Sequence, residues 1–316
     1  MAGRMDHMSG EPGGFELELP RGGSWKLGSR PALMGILNCT PDSFSDGGQY
    51  ACSEAAVNAA CGMVEDGADI VDVGGESTRP GADPVSADEQ LDRVIPVIRD
   101  LRRRSDVLVS IDTRDPRVGR AALEAGADIV NDVSACDDPG WVRVLTEHSC
   151  PVILMHMRGT PASMQENTDY PGGVLNEICG FLEDRIESLA AAGISRERMI
   201  VDPGIGFAKE AGQNMEILAG LRQMSGLGRP VLFGASRKFF LGNILGDASS
   251  RGRDPIERDI ATVAANMAAV LQGASILRVH NVPYTRDLLD VAEALRLAAE
   301  QGLALDTLRG SGGGGS

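Results

Sequence analysis

The chain has 316 residues, 42% of them apolar and 24% charged, which is the composition of a folded domain able to bury a large core. Its formal net charge of −15 leaves no broad basic face, so nucleic acid and anionic membrane are set aside as main partners. A small anionic ligand would have to be met by a local cluster of Arg and Lys.

The six cysteines show neither C-x-x-C nor metal-finger spacing, and neither a long uninterrupted apolar run nor an apolar leader is present. A reduced, cytoplasmic setting without a transmembrane helix is expected. Residues 1–14 and 304–316 read as flexible termini, the last seven (Gly310 to Ser316) as an engineered linker, which leaves 15–303 as one domain.

In chain order, Phe15 to Leu19 and Trp25 to Leu27 flank Pro20-Arg21-Gly22-Gly23, the pattern of a β-hairpin. Short apolar runs then recur at Ala32–Leu37, Asp69–Val73, Val107–Ile111, Asp128–Val130, Val152–Met155, Met199–Val201, Val231–Phe233 and Ser275–Val279. Amphipathic or Ala-rich stretches follow them in turn: Ser53–Asp66, Ser86–Arg103, Pro116–Glu124, Pro139–His148, Gly173–Ala192, Gly212–Met224, Ile256–Gln272 and Pro283–Glu300. Gly67, Gly126, Gly193 and Gly273 stand where left-handed helix C-caps belong. Eight strands alternating with eight helices predict an α/β fold, a (β/α)8 TIM barrel, its floor capped by the N-terminal hairpin. A doubly wound open sheet would more usually show five or six strands. Gly204 and Gly206 do not complete a dinucleotide fingerprint, because Lys209 holds the third glycine's place.

In such a barrel the chemistry lies at the C-terminal ends of the strands. Those ends carry Asn38, Asp72, Asp112, Asn131, His156, Asp202, the Ser236-Arg237-Lys238 turn, and Arg278 with His280. A lone Asp or Asn after a strand is more often a helix cap. All eight ends polar at one rim instead suggest a polar pocket. Asp112, Asn131 and Asp202 suit a planar heterocycle with adjacent N–H groups, while Lys238, Arg278 and His280 stand where these barrels frequently hold phosphate. The connections Asn38 to Tyr50 and Gly74 to Pro84 are long and rich in Gly, Pro, Ser and Asp, and read as loops that cover the mouth.

At these residues the chain resembles the dihydropteroate synthase family. The resemblance rests on Met34-Gly35-Ile36-Leu37-Asn38-Cys39-Thr40-Pro41-Asp42-Ser43-Phe44-Ser45-Asp46-Gly47-Gly48 and on Asp72-Val73-Gly74-Gly75-Glu76-Ser77-Thr78-Arg79-Pro80-Gly81-Ala82. It continues in order through Ser110 to Thr113, Asn131 to Ser134, Met155 to Arg158, Asp202 to Lys209, Ser236 to Lys238 and Arg278 to His280.

The resemblance implies a folate-biosynthetic transferase that condenses 7,8-dihydro-6-hydroxymethylpterin pyrophosphate with p-aminobenzoate, and it implies a homodimer. Asp112, Asn131 and Asp202 would hold the pterin edge, Lys238 would reach the pterin carbonyl, and Met155 and Phe207 would pack around the ring. Arg79, Arg278 and His280 would bind pyrophosphate, and Asn38 would ligate Mg2+. Phe44, Thr78 and the turn after Lys238 would shape the p-aminobenzoate pocket, and Ser236 would also bind substrate. The chain departs from the family pattern at Cys39, where Val is usual, and at Phe239, where a small polar or basic residue is common. A pterin-dependent methyl-transfer barrel shares the Asp/Asn/Asp pocket but has no leaving pyrophosphate, so Arg79, Lys238, Arg278 and His280 speak against it. A non-catalytic pterin-binding protein would be signalled by missing loop or cation residues, and none is missing.

Overall fold

The computed structural model describes residues 14–40, 48–77, 83–160, 164, 167–246 and 254–300. The described chain begins with an antiparallel hairpin of β1 (Phe15–Glu18) and β2 (Ser24–Leu27). Eight further strands follow: β3 (Ala32–Asn38), β4 (Ile70–Gly74), β5 (Leu108–Asp112), β6 (Ile129–Asp132), β7 (Val152–Met155), β8 (Met199–Asp202), β9 (Leu232–Phe233) and β10 (Ile276–Val279). They are parallel, and β3 to β8 pair in chain order, while β10 joins β3 to β9. A parallel bridge between Val201 and Val231 closes the ring, so the barrel expected from the sequence is the fold.

Because side chains alternate along a strand, every second residue points into the barrel. Ile70, Leu108, Ile129, Ile153, Ile200, Leu232 and Ile276, together with Met34, form one apolar layer near the strands' N-terminal ends. Leu17 and Leu27 of the hairpin, both buried, press into that layer from below and plug the floor. Arg21 in the hairpin turn pairs with the buried Asp128 at 2.7 Å, and Arg102 takes the other oxygen of the same carboxylate at 2.7 Å. The plug is therefore both apolar and ionic.

The helices lie outside: α1 (Gly48–Glu65), α2 (Ala87–Arg104), α3 (Pro116–Ala125), α4 (Gly140–Glu147), α5 (Val174–Ala191), α6 (Ala211–Ala219), α7 (Phe239–Ile244), α8 (Asp259–Leu271) and α9 (Val282–Glu300). Their apolar faces and the outward strand residues form a second, larger core around the barrel. Ser86 caps α2 by accepting from the Glu89 N–H, and Asp115 caps α3 through the Arg117 N–H. The four expected C-cap glycines, Gly67, Gly126, Gly193 and Gly273, all take left-handed φ, at 95°, 115°, 90° and 92°.

Two elements differ from the sequence reading. The stretch predicted as one helix over Gly212–Met224 is α6 followed by a 3-10 helix over Leu221–Leu227. Gly220 divides them, and a Cβ there would overlap Leu175 Cδ1. The second is α7, outside the eight predicted helices but at the helical turn that residues 234–243 suggest after Lys238; it has six residues, no side-chain cap and Gly242 inside it. Among the described residues no helix is long and apolar enough to cross a membrane.

Candidate functional site

Two residues beyond the apolar floor, the same inward positions turn polar, except on β7, where Met155 stays apolar. Ile70 leads to Asp72, Ile129 to Asn131, Ile153 to Met155, Ile200 to Asp202 and Ile276 to Arg278. The period of two that buries the floor thus delivers the site's side chains to the mouth. Asn131, Val133, Met155, Asp202, Phe207, Lys238 and Arg278 line a cleft there, with ≈ 330 Å3 of empty space that includes open solvent. Met155, Val133, Met164 and Phe207 pack together as its apolar wall.

Arg278 is the hub of the polar half. Its Nε donates to Asp72 Oδ2 at 2.6 Å and its Nη2 to Asp112 Oδ2 at 2.6 Å. Asn131 Nδ2 donates to the same Asp72 oxygen at 3.1 Å. Burial pushes the Asp112 carboxyl up to about 7, against the pull of the Arg278 guanidinium. Burial also raises Asp202 to about 6, although its Oδ1 accepts the Gly204 N–H at 2.7 Å and Lys238 draws it down. Two carboxylates of this kind, flanked by fixed cations, can hold a planar group that presents N–H donors.

Lys238 lies across the cavity with its ammonium 3.8 Å from the centroid of the Phe207 ring, a cation–π contact. The neighbouring Arg237, at φ 58°, turns the other way and forks onto Asp259 at 2.7 and 2.9 Å. Ser236 Oγ stands 2.9 Å from His280 Nδ1 and accepts the His280 N–H at 3.0 Å, so these two expected site residues form one unit beside the pocket. Asn38 ends β3, half-buried, level with Gly74, which is itself level with Asp112. Phe44, Thr78 and Arg79 lie outside the described residues, as do the rest of 41–47 in the first long loop and of 78–82 in the second. The base of the second loop is tied down: Glu76 accepts from the Val85 N–H at 3.2 Å and from Arg114 at 3.1 Å, and Gln90 donates to the Val85 carbonyl.

Several residues that shape the site carried no role in the sequence reading. Lys209 is buried and donates to the Gly204 and Phe207 carbonyls at 3.0 and 2.9 Å, with His156 Nδ1 at 3.0 Å. It clamps the segment that carries Asp202 and Phe207. His156, at the end of β7, is likewise buried, and desolvation with the Lys209 charge pushes it down to about 3. Neutral there, it accepts from Lys209 and packs edge-on against Phe181, a structural role rather than an acid–base one. The signal for Lys209 was its place in the Asp202-to-Lys209 match. Cys39 is buried and desolvation raises its thiol to about 12, so it is a poor nucleophile at neutral pH.

This pocket, a polar ring at the C-terminal rim of a TIM barrel with an apolar wall for a flat ring, has its counterpart in a known class. The chain matches the model of the pterin-binding enzymes over residues 34–280, and it belongs to that family. Within it, the similarity is to dihydropteroate synthases. That of Synechocystis sp. is 46% identical over 269 residues, which cover 85% of this chain and 91% of that protein. Among solved structures, the Xanthomonas albilineans dihydropteroate synthase with 4-aminobenzoic acid superposes with a TM-score of 0.82 at 42% identity, covering 90% of this chain and 98% of that one. The Burkholderia cenocepacia enzyme complexed with 7,8-dihydropteroate gives a TM-score of 0.80 at 42% identity, over 91% of this chain and 98% of that one.

Proposed function

We infer that this chain condenses 7,8-dihydro-6-hydroxymethylpterin pyrophosphate with p-aminobenzoate to give 7,8-dihydropteroate and pyrophosphate. It is a transferase of folate biosynthesis. The observation that carries this is the joining of Asp112, Asn131, Asp202, Lys238 and Arg278 around one cavity in a chain 42% identical to a synthase structure complexed with dihydropteroate.

In this reading the carboxylates of Asp112 and Asp202 and the amide of Asn131 accept from the pterin's N–H groups. Lys238 donates to its carbonyl, and Met155 and Phe207 hold its faces. Arg278, with Arg79 and the His280–Ser236 unit, takes the pyrophosphate. The bond between the pterin methylene and the pyrophosphate oxygen breaks first, and its electron pair leaves with the pyrophosphate. The electron-rich pterin carries the resulting cation until the arylamine nitrogen attacks and then releases a proton. The arylamine is nucleophilic without a strong base, so no side chain need act as one. Fixed cations near the leaving oxygens lower the barrier because the charge develops there.

Magnesium fits as a companion of the pyrophosphate. Asn38 offers one hard amide oxygen at the rim, and the described residues hold no group of three His, Cys, Asp or Glu that could enclose a metal. That donor set suits Mg2+ bound mostly by phosphate oxygens and water, with Asn38 as its protein ligand. When bound it would neutralise charge on the leaving pyrophosphate.

A homodimer is part of the same proposal. Ile256, Ile260 and Leu271 are exposed at helical spacing along α8 and the turn before it, and Tyr284, Val291 and Leu295 along the adjacent α9. Such a two-helix apolar face suits a second copy of the chain. The reaction is tested by incubating the protein with the pterin pyrophosphate, p-aminobenzoate and Mg2+. Dihydropteroate and pyrophosphate should appear in equal amounts; no product from a folded protein would refute the assignment.

A further inference from the structure

Asp72 is the one buried carboxylate of the polar ring to which the proposed reaction gives no substrate. It has no exposed surface, and it sits one inward step below Asp112, level with Ser110 across the sheet. One of its oxygens, Oδ2, accepts from both Arg278 Nε at 2.6 Å and Asn131 Nδ2 at 3.1 Å. The other, Oδ1, is buried without a partner. A carboxylate so placed is more than charge balance for Arg278, since it also holds an amide.

An Asn side chain can offer either a donor or an acceptor, and its partners decide which. With Nδ2 committed to Asp72, the edge of Asn131 left for the cavity is its carbonyl oxygen. The ring facing a ligand then reads as acceptors at Asp112, Asn131 and Asp202, with Lys238 as the donor. The same Asp72 oxygen holds Arg278 at Nε, so the guanidinium is tethered at its inner edge while its Nη2 reaches Asp112.

We propose that Asp72 is a specificity-determining positioning residue, which fixes Asn131 as an acceptor toward the pterin and tethers Arg278 so that it faces the pyrophosphate. One buried carboxylate thereby sets both halves of the site. The inference rests on the pterin and pyrophosphate roles given above, and it adds the reason the pocket prefers a heterocycle edge made of donors.

The test uses 6-hydroxymethyl-7,8-dihydropterin and inorganic pyrophosphate with Mg2+ as separate calorimetric probes. Three proteins are compared: the parent, Asp72→Asn, and the exchange Asp72→Asn with Asn131→Asp. Asp72→Asn should weaken both probes by about tenfold or more, because an amide in place of the carboxylate lets Asn131 turn and loosens Arg278. The exchange restores a donor below and an acceptor above at unchanged net charge, so pterin affinity should return to within about threefold of the parent. A merely structural Asp72 predicts no such recovery.

Should Asp72→Asn fail to fold, a folded exchange variant that binds pterin still supports the role. Parent-like affinities in folded Asp72→Asn would overturn it, as would a folded exchange variant as weak as the single one, or failure of both variants to fold. If the parent itself binds no pterin, the functional reading falls and this inference with it, whereas loss confined to the comparisons above refutes Asp72 alone.

Discussion

Asp202 shows what a binding carboxylate costs the fold. Its folded-state value, raised by burial to about 6, lies above the ordinary 3.8. The folded chain therefore holds a proton that the unfolded chain has released across that window, and stability falls as pH rises from about 4 to about 6. Asp202→Asn keeps an oxygen for the Gly204 N–H and removes the titration. Thermal unfolding should find the variant several degrees more stable than the parent at pH 7.5, with the gap closed near pH 4, while pterin affinity drops by about two orders of magnitude. An unchanged gap across that range would mean the carboxylate is not strained by burial. Phe239 presents the opposite case. It is 62% exposed, its ring lies 5.7 Å from the Arg258 guanidinium, and it does not line the cavity. Phe239→Ser should change the KM for p-aminobenzoate by less than about tenfold, and Lys238→Ala should cost more in pterin-dependent rate. Steady-state kinetics giving the reverse order would move the pocket wall.

At the scale of elements, the segment joining β8 to α6 is the most constrained part of the site. Gly204 has φ 65°, and a Cβ on it would overlap the His156 carbonyl oxygen. Gly206 and Ala208 also take left-handed φ, and the turn is held by Lys209 from within, by Asn214 at the Gly206 N–H and by Tyr170 at the Ala208 carbonyl. Gly204→Ala would have to open this clamp. Denaturant unfolding should show a loss of about 2 kcal/mol or more, and pterin affinity should fall with it. A variant of parent stability would mean that the turn has a second, unstrained conformation.

For the whole molecule, the floor and the outer face do different work. The hairpin seals the barrel with Leu17, Leu27 and the Arg21–Asp128 pair, which fixes the strand ends opposite the site. The exposed Ile and Leu residues of α8 and α9 have no such partner among the described residues. If they meet in a dimer, Ile260→Asp should give a monomer by light scattering, with its pterin affinity kept. A dimer that survives the charge places the interface elsewhere.

The sequence by itself determined the barrel, because strands and helices alternate at spacings that the hydrophobic pattern states locally. It also placed Asp112, Asn131 and Asp202 at strand ends, since each directly follows an apolar run, with Lys238 in the turn after one such run and Arg278 near the end of the last. The C-cap glycines were legible for the same reason: the left-handed turn is a property of one residue and its neighbours. What only the tertiary structure decided were the partnerships across the ring. Arg278 lies 206 residues from Asp72 and 166 from Asp112, and no local pattern tells that one guanidinium bridges both. Lys209 stands in sequence within a matched segment but without a role, and it becomes a buried clamp only because His156 and the Gly204 turn are folded onto it. Side-chain direction along a strand is set by the chain, but the identity of the group it meets is set by closure of the barrel, which brings distant strands to within a hydrogen bond.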